Sequence, residues 1–145
     1  MLRRAAAYTA GAEGFRAGDL SIAVVDAATM SALHESRLGH RGPTDVLTFD
    51  LGSDPAAGRL EGEIVVCADV ARAAATERGA PAGTGPRAEL ALYVVHGVLH
   101  LAGHTDDTPA AARRMHGRED ELLTELGLGP VFSVRPLSPR IPRRR

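Results

Sequence analysis

His96 and His100 stand four residues apart in "VVHGVLHLAGHTDD" (94–107), a stretch that is apolar or small apart from three histidines, one threonine and two aspartates. At about 100° per residue, side chains four apart lie nearly over one another on one helix face, a turn apart. A metal ion needs that placement from two imidazoles. Gly103 comes three residues after His100, where a helix can end with positive φ. Asp106 comes six after His100. On a continued helix it would point away from the pair, whereas a turn at Gly103 folds the chain back and brings its carboxylate to the same point. The string H-x-x-x-H-x-x-G-x-x-D offers two imidazoles and one carboxylate and leaves a position open for water, as catalytic metal sites do. His104 is the rival third ligand, should the helix continue past Gly103, and Asp107 a second rival that would otherwise cap a helix. The ligand spacing is that of a metzincin peptidase, but Gly97 stands where that enzyme keeps its glutamate base. Peptide hydrolysis by the usual route is therefore disfavoured.

These residues need a scaffold, and hydrophobic periodicity supplies one. "LSIAVVD" (20–26) is alternating and β-branched and reads as a strand. Asp26 caps a helix through about Leu38, with Met30, Leu33 and His34 on its inner face. "TDVLTFDL" (44–51) reads as a second strand, with Val46, Thr48 and Asp50 on one face and Leu47 and Phe49 on the other. "EIVV" (63–66) makes a third, followed by a helix from about Ala68 to Arg78 that "GAPAGTGP" breaks. A long apolar helix, about Arg87 to Ala102, carries the histidines. Asp107 or Thr108 caps the last helix, which has Pro109 in its first turn and runs to about Leu126. The order is helix, strand, helix, strand, strand, helix, helix, helix. Early strands and late helices predict an α+β domain, a small mixed sheet of three to four strands with helices packed on it. One domain is expected over 1–129, with an irregular Pro- and Arg-rich tail over 130–145.

Composition narrows the class. The chain has 145 residues, 44% hydrophobic and 24% charged, which are globular values. No apolar run approaches the roughly 20 residues that span a bilayer, and the N-terminus has no stretch fit for a secretory signal. A cytosolic location is expected. The single cysteine, Cys67, excludes an internal disulfide and any Cys₂ or Cys₄ zinc site, and it reads as a small buried hydrophobe. A formal net charge of −1 gives no global attraction to nucleic acid. All 17 cationic residues are arginine, however, and Arg135, Arg140, Arg143, Arg144 and Arg145 crowd the last eleven positions. Such a tail is either a phosphate-binding arm or a solubilising end.

On four segments in order, "LSIAVVD", "PTDVLTF" (43–49), "EGEIVV" (61–66) and "VVHGVLHLAGH" (94–104), the sequence resembles the YbeY family of metal-dependent endoribonucleases. The last helix, with Met115 and "REDELL" (118–123), continues the likeness, which covers about residues 18 to 126. The resemblance implies an α+β fold and zinc-dependent, single-strand-specific cleavage of RNA in ribosomal RNA maturation, including processing of the 16S rRNA 3′ end and ribosome quality control. It implies RNA and the small ribosomal subunit as partners, and neither DNA nor a membrane. By position, His96 and His100 fall on the family's first two zinc ligands, and Asp106 stands where the third histidine is usual. One zinc ion per chain is implied, although the added carboxylate charge opens the site to a harder divalent cation. His104 falls where the family commonly has an aromatic residue. The arginine that the family places shortly before the "TDVL" strand is represented by Arg37 or Arg41, either of which could offset charge on a phosphate. The family usually has a further strand before the first helix, and this chain begins at or after that point. Two other readings are a ribosome-assembly factor with a purely structural metal, and a metallopeptidase with an unusual base.

Overall fold

The computed structural model describes residues 1–79 and 85–132. The elements run α1 (Leu2–Ala12), β1 (Ala17–Val25), α2 (Ala27–Leu38), β2 (Val46–Asp50), β3 (Arg59–Cys67), α3 (Ala68–Glu77), α4 (Gly85–Leu101) and α5 (Pro109–Glu125). Their order is the one expected from periodicity. Asp26 caps α2 by accepting from the Thr29 amide at 2.8 Å, and Gly39 closes it in the left-handed conformation. At α5 the cap is Thr108 rather than Asp107, its hydroxyl accepting from the Ala111 amide at 3.1 Å, with Pro109 behind it. Part of the expected break between α3 and α4 (80–84), and the tail from 133 onward, lie outside the described residues.

The sheet is mixed, in the order β1-β3-β2, with β1 parallel and β2 antiparallel to β3. Because side chains alternate along a strand, each strand feeds both faces. Val46, Leu60, Ile64 and Val66 pack on one face with α1, α3, α4 and α5. Leu47, Val65 and Cys67 pack on the other around Met30 of α2, with Phe49 partly buried beside them. Glu63 sits on the central strand β3, in register with Phe49. The two-sided alternation read for 46–50 is what separates these layers. Val131 is part of the larger core, so packing extends slightly past residue 129.

The centre of the molecule is α4. It is buried nearly all round from Ala91 to Leu99 and packs on α1, α3, α5, β2 and β3, as befits a helix apolar on every side. It approaches the sheet so closely at Gly97 that a Cβ there would lie 2.8 Å from Ile64 Cδ1 and 2.9 Å from Thr48 Oγ1. A side chain at 97 fits only if those of Ile64 and Thr48 give way, so space as well as sequence weighs against the peptidase glutamate. Gly97→Val is expected to destabilise the fold by about 3 kcal/mol through overpacking. A thermal melt within a degree of wild type would show that this helix–sheet spacing is not rigid.

Candidate metal centre

Two devices place the ligand candidates. The helix places His96 and His100, and its termination places Asp106. At Gly103, φ is +102°, the Gly103 amide bonds the His100 carbonyl at 3.0 Å, and the His104 amide reaches back to the Leu99 carbonyl at 3.0 Å. The six-residue loop-back to Leu99 has the form of a Schellman closure. The chain then turns, and three donor atoms converge. His96 Nε2 and His100 Nε2 are 2.9 Å apart, and each lies 3.7 Å from Asp106 Oδ2. Donors around a tetrahedral zinc, at about 2.0–2.1 Å from the ion, sit roughly 3.3–3.4 Å from one another, so the triangle brackets the size a metal requires. Among the described residues these three are the group able to hold one.

The other ring nitrogens explain why the donors face each other. His96 Nδ1 donates to Glu119 Oε1 at 2.5 Å, and His100 Nδ1 donates to the His104 carbonyl at 3.0 Å. An ionised carboxylate and a carbonyl can only accept, so each Nδ1 carries the hydrogen and each Nε2 is left with its lone pair. Two lone pairs and a carboxylate oxygen pointed at one spot repel unless a cation sits among them. The donor set therefore fits a divalent metal. Exposure falls inward, with side-chain values of 13% for Asp106, 9% for His100 and 2% for His96, so the open side is that of Asp106.

Sequence reasoning did not find Glu119 or assign a role to His116. Glu119 is fully buried and holds two imidazoles, His96 through Oε1 and His116 through Oε2, the second at 2.9 Å. The His116 ring stacks in turn on Phe132, 3.6 Å between centroids and 6° from parallel. A carboxylate that orients a ligand histidine is a recurrent feature of metal sites. The signal was present in α5, whose buried face reads Ala111, Met115, Glu119, Leu122. One acid at helical spacing among apolar residues needs a buried partner. His116 itself is buried.

The remaining candidates lie elsewhere. The His104 side chain turns away from the triangle, and its Nε2 pairs with Glu13 Oε2 at 2.8 Å. It contributes to the site only through its backbone carbonyl. Asp107 is exposed. Arg37 stacks its guanidinium over Phe49, 5.3 Å from the ring centroid, on the α2 side of the sheet and thus opposite α4. Arg41 is exposed in the segment between α2 and β2. Glu13, at the end of α1, also accepts from Arg118 Nε at 2.8 Å. Burial would raise its carboxyl, but the bonds from His104 and Arg118 outweigh burial and hold it below the ordinary 4.5.

Fold and site together define an α+β domain built around two histidines and one carboxylate that could hold a metal. Comparison with known proteins places it further: the profile of the family described as Endoribonuclease YbeY matches residues 1–127, and the chain belongs to that family. It is 41% identical over 113 residues to the Endoribonuclease YbeY of Nocardioides sp. (strain ATCC BAA-499 / JS614), covering 72% of each chain. To that of Anaeromyxobacter sp. (strain Fw109-5) it is 40% identical over 125 residues, 86% of this chain and 62% of the relative. The chain thus spans from under two thirds to under three quarters of these relatives' lengths. A solution structure of a Thermotoga maritima protein shares the fold, with a TM-score of 0.58 and 24% identity over 99% of this chain and 89% of that one.

Two outcomes follow from these contacts. Glu119→Gln should weaken metal binding by about 10- to 100-fold, the usual cost of losing a carboxylate behind a ligand histidine. Competition against a chromophoric chelator measures it, and an unchanged affinity would mean that Glu119 serves packing alone. The second concerns acid. A carboxyl whose folded-state pKa is depressed stabilises the fold above its unfolded value, and that stability drains as pH falls through the folded value. Below about pH 4.5, then, wild type should lose stability more steeply than Glu13→Gln. Denaturant melts of both proteins between neutral and acid pH check this, and parallel pH curves would remove Glu13 from the account.

Proposed function

We propose that this chain is a zinc-dependent endoribonuclease that cuts single-stranded RNA, with ribosomal RNA as its substrate. The observation that carries the reading is the convergence of His96 Nε2, His100 Nε2 and Asp106 Oδ2 on one point, with both Nδ1 atoms tied back. Membership of a family whose relatives are named endoribonucleases supplies the substrate class. Maturation of the 16S rRNA 3′ end and ribosome quality control on the small ribosomal subunit are the proposed setting. That setting is cytoplasmic, and among the described residues no helix is long and apolar enough to cross a membrane.

In this reading His96, His100 and Asp106 hold the ion. When bound, the ion supplies Lewis acidity toward the phosphodiester and lowers the pKa of water beside it. The protein does the rest. Glu119 and the His104 carbonyl fix both imidazole tautomers and ring planes, so the donors are in position before the metal arrives. Asp106 faces the open side, where a strand can approach. Of the two arginines near β2, Arg41 is the proposed source of positive charge toward the phosphate, because Arg37 lies on Phe49. Asp106 in place of an imidazole adds a negative charge and favours hard divalent ions more than three histidines would. Zinc is still the proposed ion, as a borderline metal that accepts imidazole and carboxylate alike.

The test is elemental analysis of protein purified without chelator, paired with cleavage of a single-stranded RNA. Wild type should carry about one zinc per chain. Asp106→Ala and His100→Ala should lose the metal and the cleavage while keeping a cooperative melt. Zinc retained in full by Asp106→Ala would move the third ligand. Wild type free of metal even after zinc is restored would overturn the hydrolase reading. Loss of fold and of ribosome binding together in His100→Ala, with no RNA cleavage by wild type, would instead assign the metal a structural part in an assembly factor.

A further inference from the structure

The turn that delivers Asp106 is also one wall of a cavity of about 230 Å³, lined by Gly103, His104, Thr105, Ala111 and Arg114. Its opposite wall is the start of α5. The cavity and the candidate metal centre therefore share a stretch of chain, since Thr105 lines the one and Asp106 serves the other.

Charge within it is uneven. Arg118, one turn further along α5, is committed to Glu13 at 2.8 Å and to Glu121 at 3.2 Å. Glu13, which pairs with the lining residue His104 through Nε2, is also taken up by Arg118; Asp106, next to Thr105, faces His96 and His100, and Asp107 beyond it is exposed. Arg114 is different: it is exposed and, among the described residues, has neither a hydrogen bond nor a carboxylate partner. An unpaired guanidinium over a polar turn has the chemistry of a phosphate site, because its planar fork matches phosphate oxygens and is weakly hydrated. The wall is rigid as well, since Glu13 pins the His104 ring and the His104 carbonyl is bonded to His100 Nδ1. A preset wall lowers the ordering cost of binding.

We infer that this cavity is a subsite for a backbone phosphate of single-stranded RNA next to the scissile bond, and that Arg114 binds that phosphate. The inference rests on RNA being the substrate proposed above. It assigns Arg114 to holding the strand, a role separate from offsetting charge at the reacting phosphate. The same wall couples the two sites: a strand seated against Gly103–Thr105 lies along the loop that carries Asp106.

The experiment is fluorescence anisotropy with a short labelled single-stranded oligoribonucleotide, titrated into the full chain at several salt concentrations. Arg114→Gln is expected to weaken binding by about threefold to tenfold at low salt. It should also make the slope of log affinity against log salt shallower by about 0.7, the loss of one phosphate contact on a single strand. Arg114→Lys should restore the slope. Arg113→Gln removes an equally exposed charge that does not line the cavity, and should leave the slope as in wild type. Both glutamine variants weakening binding alike, or Arg114→Gln leaving the slope unchanged, would overturn the subsite. Because binding is read without cleavage, the two readings fail separately. RNA bound through Arg114 by a wild type that cuts nothing would sink the nuclease and keep the subsite.

Discussion

A carboxylate sealed between two helices has to find partners, and Glu119 finds them in His96 and His116. Left alone, a buried charge of this kind would cost several kcal/mol. Satisfied on both oxygens, it becomes an anchor between α4 and α5. His96 then has one available orientation, with Nδ1 toward Glu119 and Nε2 toward His100 and Asp106. The stack of Phe132 on His116 extends the chain of contacts to the segment after α5. His96, Glu119 and His116 are all buried, so the candidate centre is built into the core of the protein.

The helix that carries the histidines is held just as tightly. It lies against both outer strands' neighbour β3 and against β2, and Gly97 lets it come within contact of Ile64 and Thr48. The same glycine that brings helix to sheet leaves a base beside His96 room only if Ile64 and Thr48 move aside. One residue thus sets the depth of the site and limits its chemistry. At the other end, a single turn at Gly103 ends the helix, supplies the His104 carbonyl to His100 and returns Asp106 to the donors. Helix termination and ligand geometry are one event here.

The sheet separates two sets of side-chain contacts. Helix α2 and Phe49 occupy the face away from α4, and Arg37 is drawn to that side by the aromatic ring. On the α4 side, Glu13 collects His104 and Arg118, tying α1, the ligand loop and α5 together. That pairing leaves Arg114 as the cation facing the cavity beside the loop.

Element order, the faces of β2, the cap at Asp26, the α5 cap to within Asp107 or Thr108, and the turn at Gly103 were legible in the chain, because each depends on residues within a few positions of one another. The i, i+4 histidines and the fold-back to Asp106 are likewise local, so the donor triangle could be anticipated. What lay beyond reach depends on pairs far apart. Glu119 is 23 residues from His96, Glu13 is 91 from His104 and Arg37 is 12 from Phe49. Asp106 was the expected third ligand and His104 its rival only on a helix continued past Gly103; the turn there ends the helix, and Glu13, brought in by the packing of α1, holds the His104 ring aside. Local sequence sets which groups a turn of helix can present together, through backbone geometry alone. Which of them stay, and which acid stands behind a histidine, is settled by the burial and pairing of charges that only the packed core brings into contact.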